Sequence, residues 1–144
     1  MSAGVLRTDP HQEVAQRLLT LRDDLASLLS VHRPQVVAVE RVLFQHNAQT
    51  AIPVAQAAGV VMLEAQHAGC HVVEYSPNQV KQAVTGMGGA DKQQVQRMVQ
   101  TLLGVSRPLR PADVADALAV ALCHLAYAPL IARVSRQGIG GRAE

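Results

Sequence analysis

The chain has 144 residues, 49% of them hydrophobic and 17% charged, with a formal net charge of +2. That length supplies one sizeable core rather than two, and the mild positive balance falls short of the cationic composition that by itself announces a nucleic-acid binder. Cys70 and Cys123 lack CxxC spacing or a Cys/His cluster, which argues against zinc; with no leader of the secretory type, a reducing, cytoplasmic setting is expected. Polar or charged residues interrupt every apolar run, so no membrane span is expected.

In chain order, Val14, Leu18, Leu21, Leu25, Leu28 and Leu29 recur at helical spacing, predicting an amphipathic helix over residues 13–31 with Thr8 or Asp9 and Pro10 as its start signal. Pro34 breaks it, and the β-branched run at 36–39 reads as a strand buried on both faces. Residues 48–68, rich in Ala, Val, Met and Gln, read as a helix that tolerates Pro53 near its start and stops at Gly69. A second buried strand is expected at 71–75, then a short helix from Pro77 through Val84. Gly86, Met87, Gly88 and Gly89 read as a flexible loop, after which Asp91 and Gln94 form a capping-box pattern opening a helix to Leu103. Pro108 and Pro111 punctuate the next loop, and residues 112–127 read as the last helix.

Alternating strands and helices predict an α/β layer fold. Two strands are clear, and a third is possible near Val5 and Leu6. That sheet is thin for so many helices, so part of the sheet is expected to be missing at the front. The expected organisation is one domain over residues 1–132 and a flexible tail over 133–144.

Glu40 ends the run at 36–39, so its carboxylate falls at the carboxyl end of a strand, where open α/β sheets hold ligands. Alone, it equally marks a strand emerging into solvent beside Arg41. Asp113 and Asp116, three residues apart, sit roughly 60° apart around a helix and can address one cation. Acidic residues in a first helical turn are also favoured by the macrodipole with no function attached. Glu40, Asp113 and Asp116 together form a hard, all-oxygen set suited to Mg²⁺ or Mn²⁺ rather than zinc, and so to phosphoryl transfer. Lys81 and Lys92 flank the glycine loop, where cations can grip a phosphate backbone, although surface lysines are commonly just solvated. His124, eight residues after Asp116, shares nearly its helical face and is a further candidate ligand or proton carrier.

Four segments, VVAVERV with Glu40, SPNQVKQAVTG with Lys81, GGADKQQVQRMV with Lys92, and RPADVADALAVALCH with Asp113 and Asp116, resemble the RuvC family in order and spacing over nearly the whole chain. The resemblance implies an RNase H-like fold with a central mixed sheet flanked by helices, and a homodimer. It further implies Mg²⁺-dependent (or Mn²⁺-dependent) symmetric cutting of four-way Holliday junctions in recombination and repair, beside a branch-migration motor of the RuvA and RuvB type. Glu40, Asp113 and Asp116 then match three of four carboxylate positions and would serve as metal ligands. Lys81 and Lys92 match lysines that contact DNA, Lys92 also assisting cleavage. Asn47 matches a residue near the junction-binding segment. One metal would activate the attacking water and a second would steady the departing 3′ oxygen. The small-residue helix at 48–68 is the candidate dimer interface.

The family's first strand ends in a Gly-x-Asp-Pro-Gly segment whose aspartate is the fourth ligand, and nothing in these 144 residues matches it. Asp9 before Pro10 lies just ahead of the first helix and does not take that role. Leu43 stands where the family often has a stacking aromatic, with Phe44 next to it as the candidate for DNA stacking. The first strands are therefore expected to be missing, and the alternative to a junction resolvase is a truncated homologue that binds junctions without cutting.

Overall fold

The computed structural model describes residues 2–41 and 48–138. Its elements run α1 (Val14–His32), β1 (Val36–Glu40), α2 (Ala48–His67), β2 (His71–Tyr75), α3 (Pro77–Thr85), α4 (Lys92–Leu103) and α5 (Ala112–Gly138). They divide between two compact units, Met1–Pro77 and Asn78–Glu144.

In the first unit, β1 and β2 pair in parallel, with Val37 opposite Val72 and Glu40 opposite Tyr75. A parallel pair needs a crossover, and α2 provides it. The ladder continues past both ends, because the His71 amide donates to the Gln35 carbonyl and the Arg41 amide to the Tyr75 carbonyl, each at 2.8 Å. Partners in a ladder share a face, so Val37 and Val72 point the same way, and both pack on the core formed by Leu29, Ala65 and Cys70, with Leu25 beside them. Burying Leu29 contributes about 2 kcal/mol. Residues of the other parity, including Glu40 and Tyr75, point to the opposite face of the sheet.

Gly69 ends α2 because its φ of +79° is readily adopted only without a Cβ; the Cys70 amide then reaches back to the Ala65 carbonyl at 2.9 Å. The Cys70 thiol donates to the Pro34 carbonyl at 3.2 Å and ties the start of β2 to the end of α1. Between α1 and α2, Arg22 Nε donates to Glu64 Oε2 at 3.0 Å. Hydrogen bonding to Asp23, and then to Glu64, pushes the Arg22 pKa further up, so that guanidinium stays charged at any ordinary pH.

The second unit packs α4 against α5. Val95 and Val99 of α4 are buried, as are Val114, Ala115, Leu118, Ala119, Val120 and Cys123 of α5 and Val80 and Val84 of α3. The i, i+4 spacing on α3 and α4 creates single apolar stripes. On α5 the buried positions cover a broader face.

Several expectations change. Val5 and Leu6 form no strand; both are more than a third exposed. The strand at 36–40 was expected to be buried on both faces, but its first four residues are half-buried and Glu40 is exposed, as suits a strand with a single described neighbour. Thr8 and Asp9 do not cap α1. Asp9 instead closes a turn, accepting from the His11 amide at 2.9 Å, and Thr8 Oγ1 accepts from Arg17 Nε at 3.0 Å. The last helix does not stop at Tyr127 but continues through Pro129 to Gly138, so the tail expected from residue 133 is helical as far as it is described. A proline costs a helix one hydrogen bond and bends it without necessarily ending it. By length and composition, Ala112–Leu130 is long and apolar enough to cross a membrane, contrary to the sequence expectation. Within that stretch 28% is buried in the unit, chiefly between Val114 and Cys123, while Leu125 and Leu130 are exposed.

Candidate active site

Glu40 is the last residue of β1, and in parallel register it faces Tyr75, the last residue of β2. Parallel pairing puts both carboxyl ends at one edge, and side-chain alternation turns both residues away from the Leu29 core. Tyr75 is buried, whereas Glu40 is exposed. This placement at a strand end is what the sequence predicts for Glu40.

In the second unit, Asp113 lies in the first turn of α5 and is exposed, and Asp116 follows one turn later, half-buried. Val114 and Ala115 between them are buried and hold the helix against its unit, and Asp116 sits at the margin of that packed face, beside buried Ala119 and Val120. Asp116 Oδ2 lies 3.0 Å from Lys92 Nζ. Lys92 is the first residue of α4, and its backbone is set by Asp91: the Asp91 carboxylate accepts from the Gln94 amide at 2.9 Å while Gln94 Oε1 accepts from the Asp91 amide at 2.8 Å. The capping box predicted from sequence thus anchors the lysine that reaches Asp116. The ion pair remains accessible to solvent, with 61% of the Lys92 side chain and 41% of the Asp116 side chain exposed.

The loop joining α3 to α4 differs from the flexible stretch expected. Thr85 Oγ1 lies 2.8 Å from the Lys81 carbonyl and 3.0 Å from the Met87 carbonyl, and it accepts from the Met87 amide at 3.1 Å. Gln82 Nε2 donates to the Gly86 carbonyl at 2.9 Å, and the Ala90 amide to the Met87 carbonyl at 3.2 Å. Thr85 and Gln82 were not singled out by sequence; a hydroxyl two residues ahead of a loop amide is the available signal. The same bonds fix the backbone around Lys81, whose side chain is half-buried and forms no ion pair among the described residues.

The structure therefore brings Lys92 to Asp116 and places Glu40 at a strand end in the other unit. Among the described residues, no three His, Cys, Asp or Glu side chains gather as a metal-binding group. The donor chemistry nevertheless suits a hard cation, because Asp116 already holds an ammonium at contact distance and Asp113 offers a second carboxylate one turn away. His124 sits half-buried on α5, two turns beyond Asp116. Leu43, Phe44 and Asn47 lie outside the described residues.

Comparison with known proteins places these features in context. The family profile "Crossover junction endodeoxyribonuclease RuvC" matches residues 1–124. A protein of that name from Rhodococcus opacus (strain B4) is 48% identical over 136 residues, covering 94% of this chain and 72% of the relative. One from Salinispora arenicola (strain CNS-205) is 54% identical over 121 residues, covering 84% and 69%. Among solved structures, Thermus thermophilus RuvC superposes with a TM-score of 0.82 at 38% identity, covering 90% of this chain and 78% of that one. T. thermophilus RuvC in complex with Holliday junction substrate gives 0.80 at 35% identity, covering 90% and 80%.

Proposed function

The chain belongs to the RuvC family of crossover junction endodeoxyribonucleases, and from that premise we propose that it resolves four-way DNA junctions by metal-dependent hydrolysis of paired, symmetric phosphodiesters. The observation that carries this is the extent of the family match: residues 1–124 include Glu40, Lys81, Lys92, Asp113 and Asp116, in their separate motifs. The likeness to a relative's complex with a Holliday junction supports the same substrate.

Glu40, Asp113 and Asp116 are proposed as the carboxylates that hold Mg²⁺ or Mn²⁺. When bound, such an ion supplies a more acidic water nucleophile and charge stabilisation for the leaving oxygen. The chain's own residues then have distinct tasks. Glu40 projects its carboxylate from the end of β1, where the sheet backbone holds it in place. Asp113 and Asp116 present theirs from one face of α5, and Lys92 faces the scissile phosphate from the start of α4. Lys81, with Phe44 and Asn47, contacts the DNA, where phosphate contacts set register rather than sequence choice. Residues 1–132 act as one nuclease domain in the cytoplasm, partnered by a branch-migration motor of the RuvA and RuvB type. A homodimer matches the two equivalent strands of a junction. The exposure of Ile52, Val54 and Leu63 on α2 supports that helix as the dimer surface.

Binding without cutting is the alternative, favoured by the lack of a Gly-x-Asp-Pro-Gly segment within these residues. The test is a synthetic four-way junction incubated with this chain and Mg²⁺. Paired nicks abolished by EDTA are expected. A retarded junction with no nicks would replace the nuclease by the binding-only protein, and neither nicks nor retardation would refute both.

A further inference from the structure

The loop that leads into α5 walls a cavity of about 360 Å³ against α4, inside the second unit and beside the carboxylates rather than among them. We propose that this cavity is a backbone subsite for one phosphodiester, with its deoxyribose, of the DNA strand that runs past Asp113 and Asp116: Arg110 holds the phosphate and the Gln96 amide donates to it. This inference rests on the reading of the chain as a junction-binding protein.

The lining has the chemistry of a nucleotide backbone. Gln96 and Gln100 lie one turn apart on α4, and Arg110 borders the same cavity from the loop. Pro108, Leu109 and Pro111 make the rest of the wall apolar, so the carbons of a sugar can rest there without leaving a polar group unpaired. A mostly apolar hollow with a few polar groups is the usual make-up of a ligand site. Two of those polar groups are uncommitted: the side chains of Gln96, half-buried, and Arg110, exposed, form no hydrogen bond or ion pair among the described residues. Arg110 stays unpaired although Asp113 is only three residues away. A guanidinium presents a planar fork that matches two phosphate oxygens, and a half-buried amide gains from an acceptor it does not yet have.

The loop is also held in shape. Gln100 Nε2 donates to the Arg107 carbonyl at 2.9 Å, the Val105 amide to the Gln100 carbonyl at 3.0 Å, and the Val114 amide to the Pro111 carbonyl at 3.1 Å. The backbone on both sides of Arg110 is thus fixed before DNA arrives, which lowers the ordering cost of binding. Gln100 acts here as a positioning residue. Ala112 borders the cavity and Asp113 follows it directly, so a strand seated in the cavity leads to the carboxylates. Arg110 offsets part of the repulsion that those two negative charges exert on a phosphate.

The test uses the full chain and a synthetic four-way junction, with EDTA present so that no strand is cut. Affinity is read by gel retardation between about 50 and 200 mM salt. Arg110→Met is expected to bind about three- to tenfold more weakly at the low end, and its plot of log affinity against log salt should be shallower by about 0.9. Arg97→Met, which removes a charge from α4 outside the cavity, is expected to keep the wild-type slope. Gln96→Leu should lose about threefold in affinity with no change of slope, because it removes no charge. A set of junctions, each with one neutral methylphosphonate in place of one linkage near the crossover, locates the contact. At one linkage the substitution should weaken wild type and Arg97→Met severalfold, yet weaken Arg110→Met no further. An unchanged slope in Arg110→Met, the same loss in Arg97→Met, wild-type affinity in Gln96→Leu, or no linkage masked by Arg110→Met each overturns the subsite while leaving junction binding intact. If wild type does not retard the junction, the junction-binding reading falls, and this inference with it.

Discussion

Arg22 and Glu64 lie 42 positions apart in sequence, yet Nε of one meets Oε2 of the other at 3.0 Å, and the Glu64 side chain is only 9% exposed. This is the polar clamp between α1 and α2. Removing the guanidinium leaves a buried carboxylate without its partner, whereas replacing the carboxylate by an apolar side chain removes the need for one. Arg22→Met is therefore expected to lower the thermal midpoint clearly and Glu64→Leu much less. Circular dichroism melts of the two variants decide it, and a smaller loss for Arg22→Met would contradict the clamp.

The capping box at the start of α4 supports both stability and placement of Lys92. Asp91→Ala is expected to cost about 1 kcal/mol in urea unfolding. Because the cap also sets where the lysine stem begins, junction cleavage should fall in the same variant at a temperature where it remains fully folded. An unchanged cleavage rate would separate the cap from the site.

Burial pushes the Cys123 thiol up. The unfolded thiol ionises near pH 8.5, so above that pH the unfolded chain releases a proton that the native chain retains. The native state then binds more protons, and stability falls as pH rises. The thiol's contribution is fully present below about pH 8.5 and is lost as pH climbs through the folded value. Urea midpoints between pH 7 and 10 should show that decline, with a smaller slope in Cys123→Ala whatever its stability at neutral pH. An identical slope in the variant would assign the decline to other groups.

For the proposed cleavage, Glu40→Gln and Asp113→Asn are each expected to lower the single-turnover nicking rate on the order of 10²-fold or more, while junction retardation in a gel persists. Both residues are exposed, so neither change should disturb the fold. Loss of binding in parallel with cleavage would count against a purely catalytic role.

Much was legible in the chain itself because it is written locally. The periodicity of α1, the β-branched run of β1, the capping box of α4 and the stop at Gly69 each depend on a few neighbouring residues, and the structure reproduces them to within a few positions. The candidate site residues were named from four motifs in one order, and of these the structure brings Lys92 to Asp116. Tertiary structure decided what depends on distant partners. It paired Val37 with Val72, which turned Glu40 and Tyr75 away from the Leu29 core; no local pattern specifies that register. It also joined Arg22 to Glu64 across α1 and α2, and Lys92 to Asp116 across α4 and α5, each through helix packing that no local pattern specifies. The loop at 86–89 shows the limit of local reasoning: its glycines suggested freedom, but hydrogen bonds from Thr85 and Gln82 hold the backbone in one shape. Helix and strand propensities are short-range energies, whereas an ion pair or a strand register exists only once the entropy of bringing the two partner segments together has been overcome.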